Sequence, residues 1–211
     1  MRNTILLTIL ALALLVPSMA FAEGENGCAP EYQAVTDSAL VKLQGTGDMD
    51  ITVVTDPLCW HCRLGHKLLN EEKGLYRTLS IVFFPRKQFI GSDMAAWILE
   101  DAAGTDSLQA KVDFAYKHLK QPKTEDLGEA RDIVLTQFLF QFPEMIGENE
   151  TVDDLSARLE KNNAPHVLKT AELCRTAKIP GTPILIAGEY VLLGYGAGPW
   201  VKAMKTKRFC K

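Results

Sequence analysis

The sequence predicts an α/β protein: a small mixed sheet interrupted by a long helical block. Three observations carry this. Two β-branched, apolar runs at 50–55 and 79–84 flank an amphipathic stretch. From Ser92 to Lys178 almost everything has helical period and composition. A strand pair at 184–193 then leads into one last helix.

The elements follow in order. Arg2 is the one charged side chain before Glu23, and Ile5 to Val16 is an apolar run followed by Pro17 and an A-x-A site at Ala20 and Ala22. This reads as a signal peptide cut after Ala22; about 20 apolar residues would be needed for a membrane anchor. Polar residues 23–27 argue against lipidation at Cys28. The expected location is therefore periplasmic or secreted. Residues 23–37, with Gly24, Gly27 and Pro30, read as a flexible lead-in, and 38–211 as the folded domain, with its helical insertion at about 92–178.

Within that domain a short apolar segment, Ser38 to Gln44, precedes the turn Gly45-Thr46-Gly47-Asp48. Asp50 to Thr55 is a buried strand ended by Asp56-Pro57, because proline cannot donate to a ladder. Trp60 to about Arg77 is helical, weakened by Gly65 and Gly74, and Leu79 to Phe84 is a second strand, apolar enough to be covered on both faces. Start signals then predict helices near 93–102, 106–119, 125–141, 152–161 and 164–177, including the capping box at Thr151 and Asp154 and an Asn163 cap before Pro165. Ile184 to Ala187 and Tyr190 to Leu193 form a hairpin around Gly188-Glu189. Trp200 to Phe209 closes the chain as a helix whose Lys202, Lys205, Lys207 and Arg208 suit its C-terminal dipole.

The formal charge is −3 with no basic stripe, which gives no reason to expect nucleic acid. Five cysteines (Cys28, Cys59, Cys62, Cys174 and Cys210) are too few for a disulfide scaffold in a chain of this length, so folding rests on the apolar core. Two of them make Cys59-Trp60-His61-Cys62 at a strand-to-helix junction. There the first sulfur sits beside unsatisfied backbone N–H groups that stabilise a thiolate, and the second lies one turn in, placed to resolve a mixed disulfide.

With C-x-x-C opening the first helix, a helical insertion, and Gly181-Thr182-Pro183 before a closing hairpin and helix, residues 38–208 resemble a thioredoxin-fold thiol:disulfide oxidoreductase of the DsbA-like class. The resemblance implies that Cys59 is the exposed nucleophile and Cys62 its buried partner. It also implies a cis Pro183, with the Thr182 backbone available to an extended substrate segment. His61 is a candidate stabiliser of the Cys59 thiolate, which would make the disulfide more oxidising. Trp60 stands where the family often has proline, and is either an apolar contact for peptides or a cover for the motif. The family's buried acid six positions before the first cysteine is absent, that position being Val53. Asp56 is nearer the motif, but reads first as a turn residue.

The expected function is disulfide exchange with protein substrates through a Cys59 mixed disulfide resolved by Cys62. A membrane or soluble redox partner would complete the cycle, the protein being a monomer without cofactor or resident metal. Isomerase or reductase activity on the same fold is the alternative. A non-catalytic metal-handling protein is the rival class, resting on Cys59, Cys62 and His66 as C-x2-C-x3-H; His118 and His166 lack ligand spacing. Cys28, Cys174 and Cys210 are expected to contribute one structural disulfide, the pair left open.

Overall fold

The computed structural model describes residues 30–188 and 190–206. The signal-peptide segment, Cys28, Glu189, Lys207, Arg208 and Cys210 lie outside the described residues. Five strands, β1 (Val41–Gln44), β2 (Asp50–Thr55), β3 (Thr78–Phe83), β4 (Ile184–Ala187) and β5 (Tyr190–Leu193), form one sheet in the order β1-β3-β2-β4-β5. Strands β2 and β3 run parallel, Val53 opposite Ile81, and the other neighbours are antiparallel. A crossover helix, α2 (Trp60–Glu71), joins the parallel pair, as parallel strands require.

Both faces of the sheet are covered, which is why β3 reads as a near-continuous apolar run. Ile51, Val53, Leu79, Ile81, Phe83, Leu185 and Ala187 belong to the larger core, with Leu69 of α2 and Trp200 and Met204 of α7 (Ala197–Thr206). Val54, Val82, Phe84 and Ile184, on the opposite face, meet Val35, Ala171 and Cys174 in a smaller core. Edge strand β1 alternates, Val41 and Leu43 inward and Lys42 and Gln44 outward.

Three expectations are corrected. Part of the lead-in is ordered: Pro30–Asp37 is helix α1, whose Val35 is fully buried in the smaller core and whose end is closed by the Ser38 hydroxyl on Val35 O at 2.6 Å. The first crossover helix stops at Glu71, short of Arg77. A 3₁₀ turn at Lys73–Leu75 follows, and Tyr76, buried with its O–H on Leu69 O at 3.2 Å, turns the chain into β3. Finally, the two helices expected at 152–161 and 164–177 are one, α6 (Val152–Thr176), with Pro165 inside it. Asn163 does not cap a new helix; its side chain is buried and donates to Leu159 O at 3.2 Å. Leu155, Leu159, Ala164 and Val167 bury one stripe across the proline, and that burial holds the helix continuous against the lost N–H.

Helices α3 (Ser92–Asp101), α4 (Leu108–Lys117) and α5 (Leu127–Gln141) complete the block between β3 and β4. Helix α6 begins with the expected capping box, the Thr151 hydroxyl accepting Asp154 N–H and the Asp154 carboxylate accepting Thr151 N–H. Asp126 caps α5 with a single bond, its carboxylate accepting Glu129 N–H at 2.7 Å. The final helix starts at Ala197, earlier than expected, because Pro199 falls in its first turn, where a missing N–H costs nothing. Among the described residues no helix is long and apolar enough to cross a membrane.

Candidate active site

Strand β2 ends at Thr55, and the next four residues build the approach to α2. Asp56 makes the turn: its carboxylate accepts Leu58 N–H at 2.9 Å and its carbonyl accepts Cys59 N–H at 3.1 Å. Cys59 then occupies the N-cap of α2 with extended backbone and no side-chain cap, which leaves the helix's first N–H groups to its sulfur. Its carbonyl accepts the Arg63 N–H at 3.1 Å, the first turn of the helix.

Opposite this terminus lies the loop into β4. The Thr182–Pro183 peptide is cis, and the Thr182 carbonyl accepts from Cys59 Sγ at 3.7 Å. Gly194 N–H to Pro183 O at 2.9 Å ties the loop to the end of β5. The structure therefore brings Cys59, Cys62, Thr182 and Pro183 together. One expectation differs: Cys59 is 4% exposed, hardly more than Cys62 at 2%, because the Thr182–Pro183 loop lies over it. Trp60, by contrast, stands 67% exposed at the rim.

Both described motif cysteines are free thiols, as is buried Cys174, and they differ in charge preference. Cys59 is held down to about 5, first by the Cys62 side chain and then by Cys62 N–H, the Thr182 side chain and His61 N–H, against the cost of burial. Burial pushes the Cys62 thiol up, and the neighbouring Cys59 adds to it. His61 thus contributes through its main chain, its ring lying at the surface. Cys174 is pushed up to about 12 by burial, as an inert core thiol should be.

Two features escaped the sequence. Asp56 is completely buried; its second carboxylate oxygen accepts Arg86 N–H at 2.8 Å, and burial raises it to about 7. The turn signal at Asp-Pro was visible, but its burial depends on the β3–α3 connection folding over it. The second is Tyr116 of α4, whose hydroxyl donates to Thr55 Oγ1 at 3.1 Å beside the cysteines; no local signal marks that pairing. His66 is turned to Asp113 at 2.9 Å and stacked on Tyr116 at 4.6 Å between ring centroids. Among the described residues no group of three metal-ligating side chains stands together. His166 pairs with Glu100 at 2.9 Å and His118 is exposed. A cleft of about 630 Å³ opens beside the motif between Trp60, Arg63, Leu64, Tyr116 and His118.

No family model and no curated protein matches the sequence. Solved structures do. ScsC of Proteus mirabilis in a transitional conformation shares 15% identity at a TM-score of 0.61, covering 84% of this chain and 75% of its own. A periplasmic thioredoxin-like protein from Salmonella enterica serovar Typhimurium gives 15%, 0.56, 85% and 97%. Oxidised BdbD from Bacillus subtilis gives 20%, 0.58, 81% and 93%. This is the DsbA-like thioredoxin fold. At such identities the likeness is one of fold, and the chemistry has to be argued from this chain's own residues. In the DsbA-like fold as this chain builds it, the C-x-x-C pair sits at the N-terminus of α2 and Val53, 6% exposed, occupies the same core as Cys59 and Cys62.

Proposed function

We propose that this protein is a thiol:disulfide oxidoreductase acting on protein substrates in the periplasm or outside the cell. The observation that carries the reading is the state of Cys59: a thiol with a depressed pKa at a helix N-terminus, facing a main-chain carbonyl across 3.7 Å. A substrate thiolate attacks Cys59 Sγ of the Cys59–Cys62 disulfide, forming a mixed disulfide and releasing Cys62 with the electron pair. A second substrate thiolate attacks the substrate sulfur, forming the product disulfide and releasing Cys59. The Thr182 main chain and exposed Trp60 are the surfaces for an extended peptide. A membrane or soluble oxidant then restores the Cys59–Cys62 disulfide.

A depressed Cys59 pKa stabilises the reduced enzyme and so favours the oxidising direction. Dithiol-peptide oxidation is expected to fall to the uncatalysed background in both Cys59→Ser and Cys62→Ser, neither of which can form the internal disulfide. Offered a disulfide-bonded peptide, Cys62→Ser is expected to accumulate a Cys59 mixed disulfide, the peptide thiolate leaving and no Cys62 being present to resolve it. Full oxidation activity in Cys59→Ser would reject the reading. Equilibration with glutathione decides direction: a potential near about −120 mV marks an oxidase, and one near about −270 mV a reductase.

A further inference from the structure

Asp56 is a wholly buried acid that the exchange chemistry leaves without a task. Every polar group it has is engaged, and two of its bonds end on the motif cysteines. Its N–H donates to Cys62 Sγ at 3.4 Å, and its carbonyl accepts Cys59 N–H at 3.1 Å. The carboxylate ties together the segments on either side. One oxygen accepts Leu58 N–H at 2.9 Å, from the approach to α2, and the other accepts Arg86 N–H at 2.8 Å, from the β3–α3 connection.

The direction of the Asp56 N–H follows from the backbone before it. The Thr55 carbonyl accepts Phe84 N–H at 2.8 Å, and across a trans peptide the next N–H points the opposite way. On that side the register with β4 ends at Val54 opposite Ile184. The Asp56 N–H therefore lies beyond the ladder and meets the Cys62 sulfur instead. When the Cys59–Cys62 disulfide opens, Cys62 leaves with the electron pair into a site where it is 2% exposed. A buried thiolate is costly without a donor aimed at it, and a donor on a turn stays aimed only if the turn is held.

Resting on the oxidoreductase reading, we propose that Asp56 is a positioning residue for the disulfide: its buried carboxylate clamps Leu58 and Arg86 so that its own N–H stays on Cys62 Sγ as that sulfur leaves. The side chain acts through the main chain and not through its charge. The two roles have opposite signs, because a carboxylate beside a departing thiolate repels it, and removing a mere charge would speed opening.

The test uses the oxidised full-length protein and reduced glutathione. Glutathione thiolate bonds to Cys59 Sγ, the Cys59–Cys62 bond breaks, and the electron pair passes to Cys62, which takes a proton from solvent. A second glutathione thiolate attacks the glutathione sulfur, releasing Cys59 and oxidised glutathione. The opening rate is expected to drop about tenfold in Asp56→Ala, the loss of one hydrogen bond to a charged group. Asp56→Asn keeps the acceptor for Leu58 N–H and loses the one for Arg86 N–H. It is expected to fall in between, and it reads the same effect should Asp56→Ala fold poorly. The control is the Cys62→Ser protein carrying glutathione on Cys59, where Cys62 is no leaving group. There glutathione is expected to release Cys59 at rates within about twofold with and without the Asp56 substitution. Opening that is unchanged or faster in both Asp56 variants would overturn the assignment, as would equal slowing in the control, which marks a general loosening of the site. Each of those results leaves the Cys59–Cys62 chemistry intact. A parent disulfide that glutathione does not open would overturn the underlying reading, and this inference with it.

Discussion

Cys59 and Asp56 titrate against each other. The folded pKa of Cys59 is depressed from 9.0 to about 5, so the reduced protein gains stability as pH rises from about 5 towards 9 and loses it on acidification. Asp56 does the reverse. Its pKa is raised from 3.8 to about 7 by burial, so the folded carboxyl keeps a proton that the unfolded chain has already released. Its contribution is full below about pH 4 and is lost as pH rises towards 7, a change of order a few kcal/mol. The carboxylates with depressed values, Asp113, Asp50, Glu150 and Asp154, act below that window. In the Cys59→Ser protein, where the opposing thiol is gone, urea stability is expected to fall between pH 4.5 and 7.5. Adding Asp56→Asn should flatten that slope relative to its parent. It should also lower stability at acid pH, because the amide N–H₂ cannot accept from Arg86 N–H. Parallel pH profiles for the two proteins would show that Asp56 carries its charge in the fold without penalty. Alkylation of Cys59 in the wild-type protein gives the matching kinetic check, with a midpoint near pH 5 expected in place of one near 9.

At the scale of elements, α2 shows why two glycines with the same sequence signature differ. Gly65 and Gly74 both weaken a helical pattern, and from the sequence they are equivalent. In the structure a Cβ at Gly65 would stand 2.8 and 2.9 Å from the Trp200 ring, whereas one at Gly74 would meet only the Thr46 hydroxyl at 4.0 Å. Trp200 is fully buried, with its indole N–H on Gly194 O at 3.0 Å and its ring edge-on to Tyr195, so it has little room to move. Gly65→Ala gains about 1 kcal/mol of helix propensity and loses about 1–3 to overpacking, so a net loss of about 1 kcal/mol in urea unfolding is expected. Gly74→Ala should be neutral or slightly stabilising. Equal effects at the two sites would remove the Trp200 contact as the reason for Gly65. The same division separates what was readable in the motif from what was not. Cys59-Trp60-His61-Cys62 and Gly181-Thr182-Pro183 announce themselves through local spacing, as do β2, β3 and the closing hairpin through period and turn residues. Helix α1 did not, because eight mostly polar residues with one buried valine carry no pattern until the sheet face beneath them exists. Nor did Thr55 with Tyr116, since only the packing of α4 over β2 makes them neighbours.

On the scale of the whole molecule, α6 is the member that joins the two cores. Its first part contributes Leu155, Leu159, Ala164 and Val167 to the larger core, and its last turns contribute Ala171 and Cys174 to the smaller one on the other face of the sheet. A single 25-residue helix thus braces the inserted block against the sheet, which is a global demand that no local signal records. Locally, Asn163-Ala164-Pro165 reads as a stop and restart, and local preference here loses to burial on both sides of the proline. The Pro165 side chain is exposed, so it supplies no core contact, and its ring removes the N–H that would bond Lys161 O. Pro165→Ala restores that bond and helix propensity worth up to about 3 kcal/mol, offset by about 1 kcal/mol from a freer unfolded chain. A net gain of about 1–2 kcal/mol is expected, a rise of several degrees in Tm for a chain of this size. Because α6 couples the cores, Trp97 and Trp200, which lie in the block and under the sheet, should still report one shared transition. A drop in Tm, or two separated transitions, would instead mean that the proline is what lets one helix reach both cores.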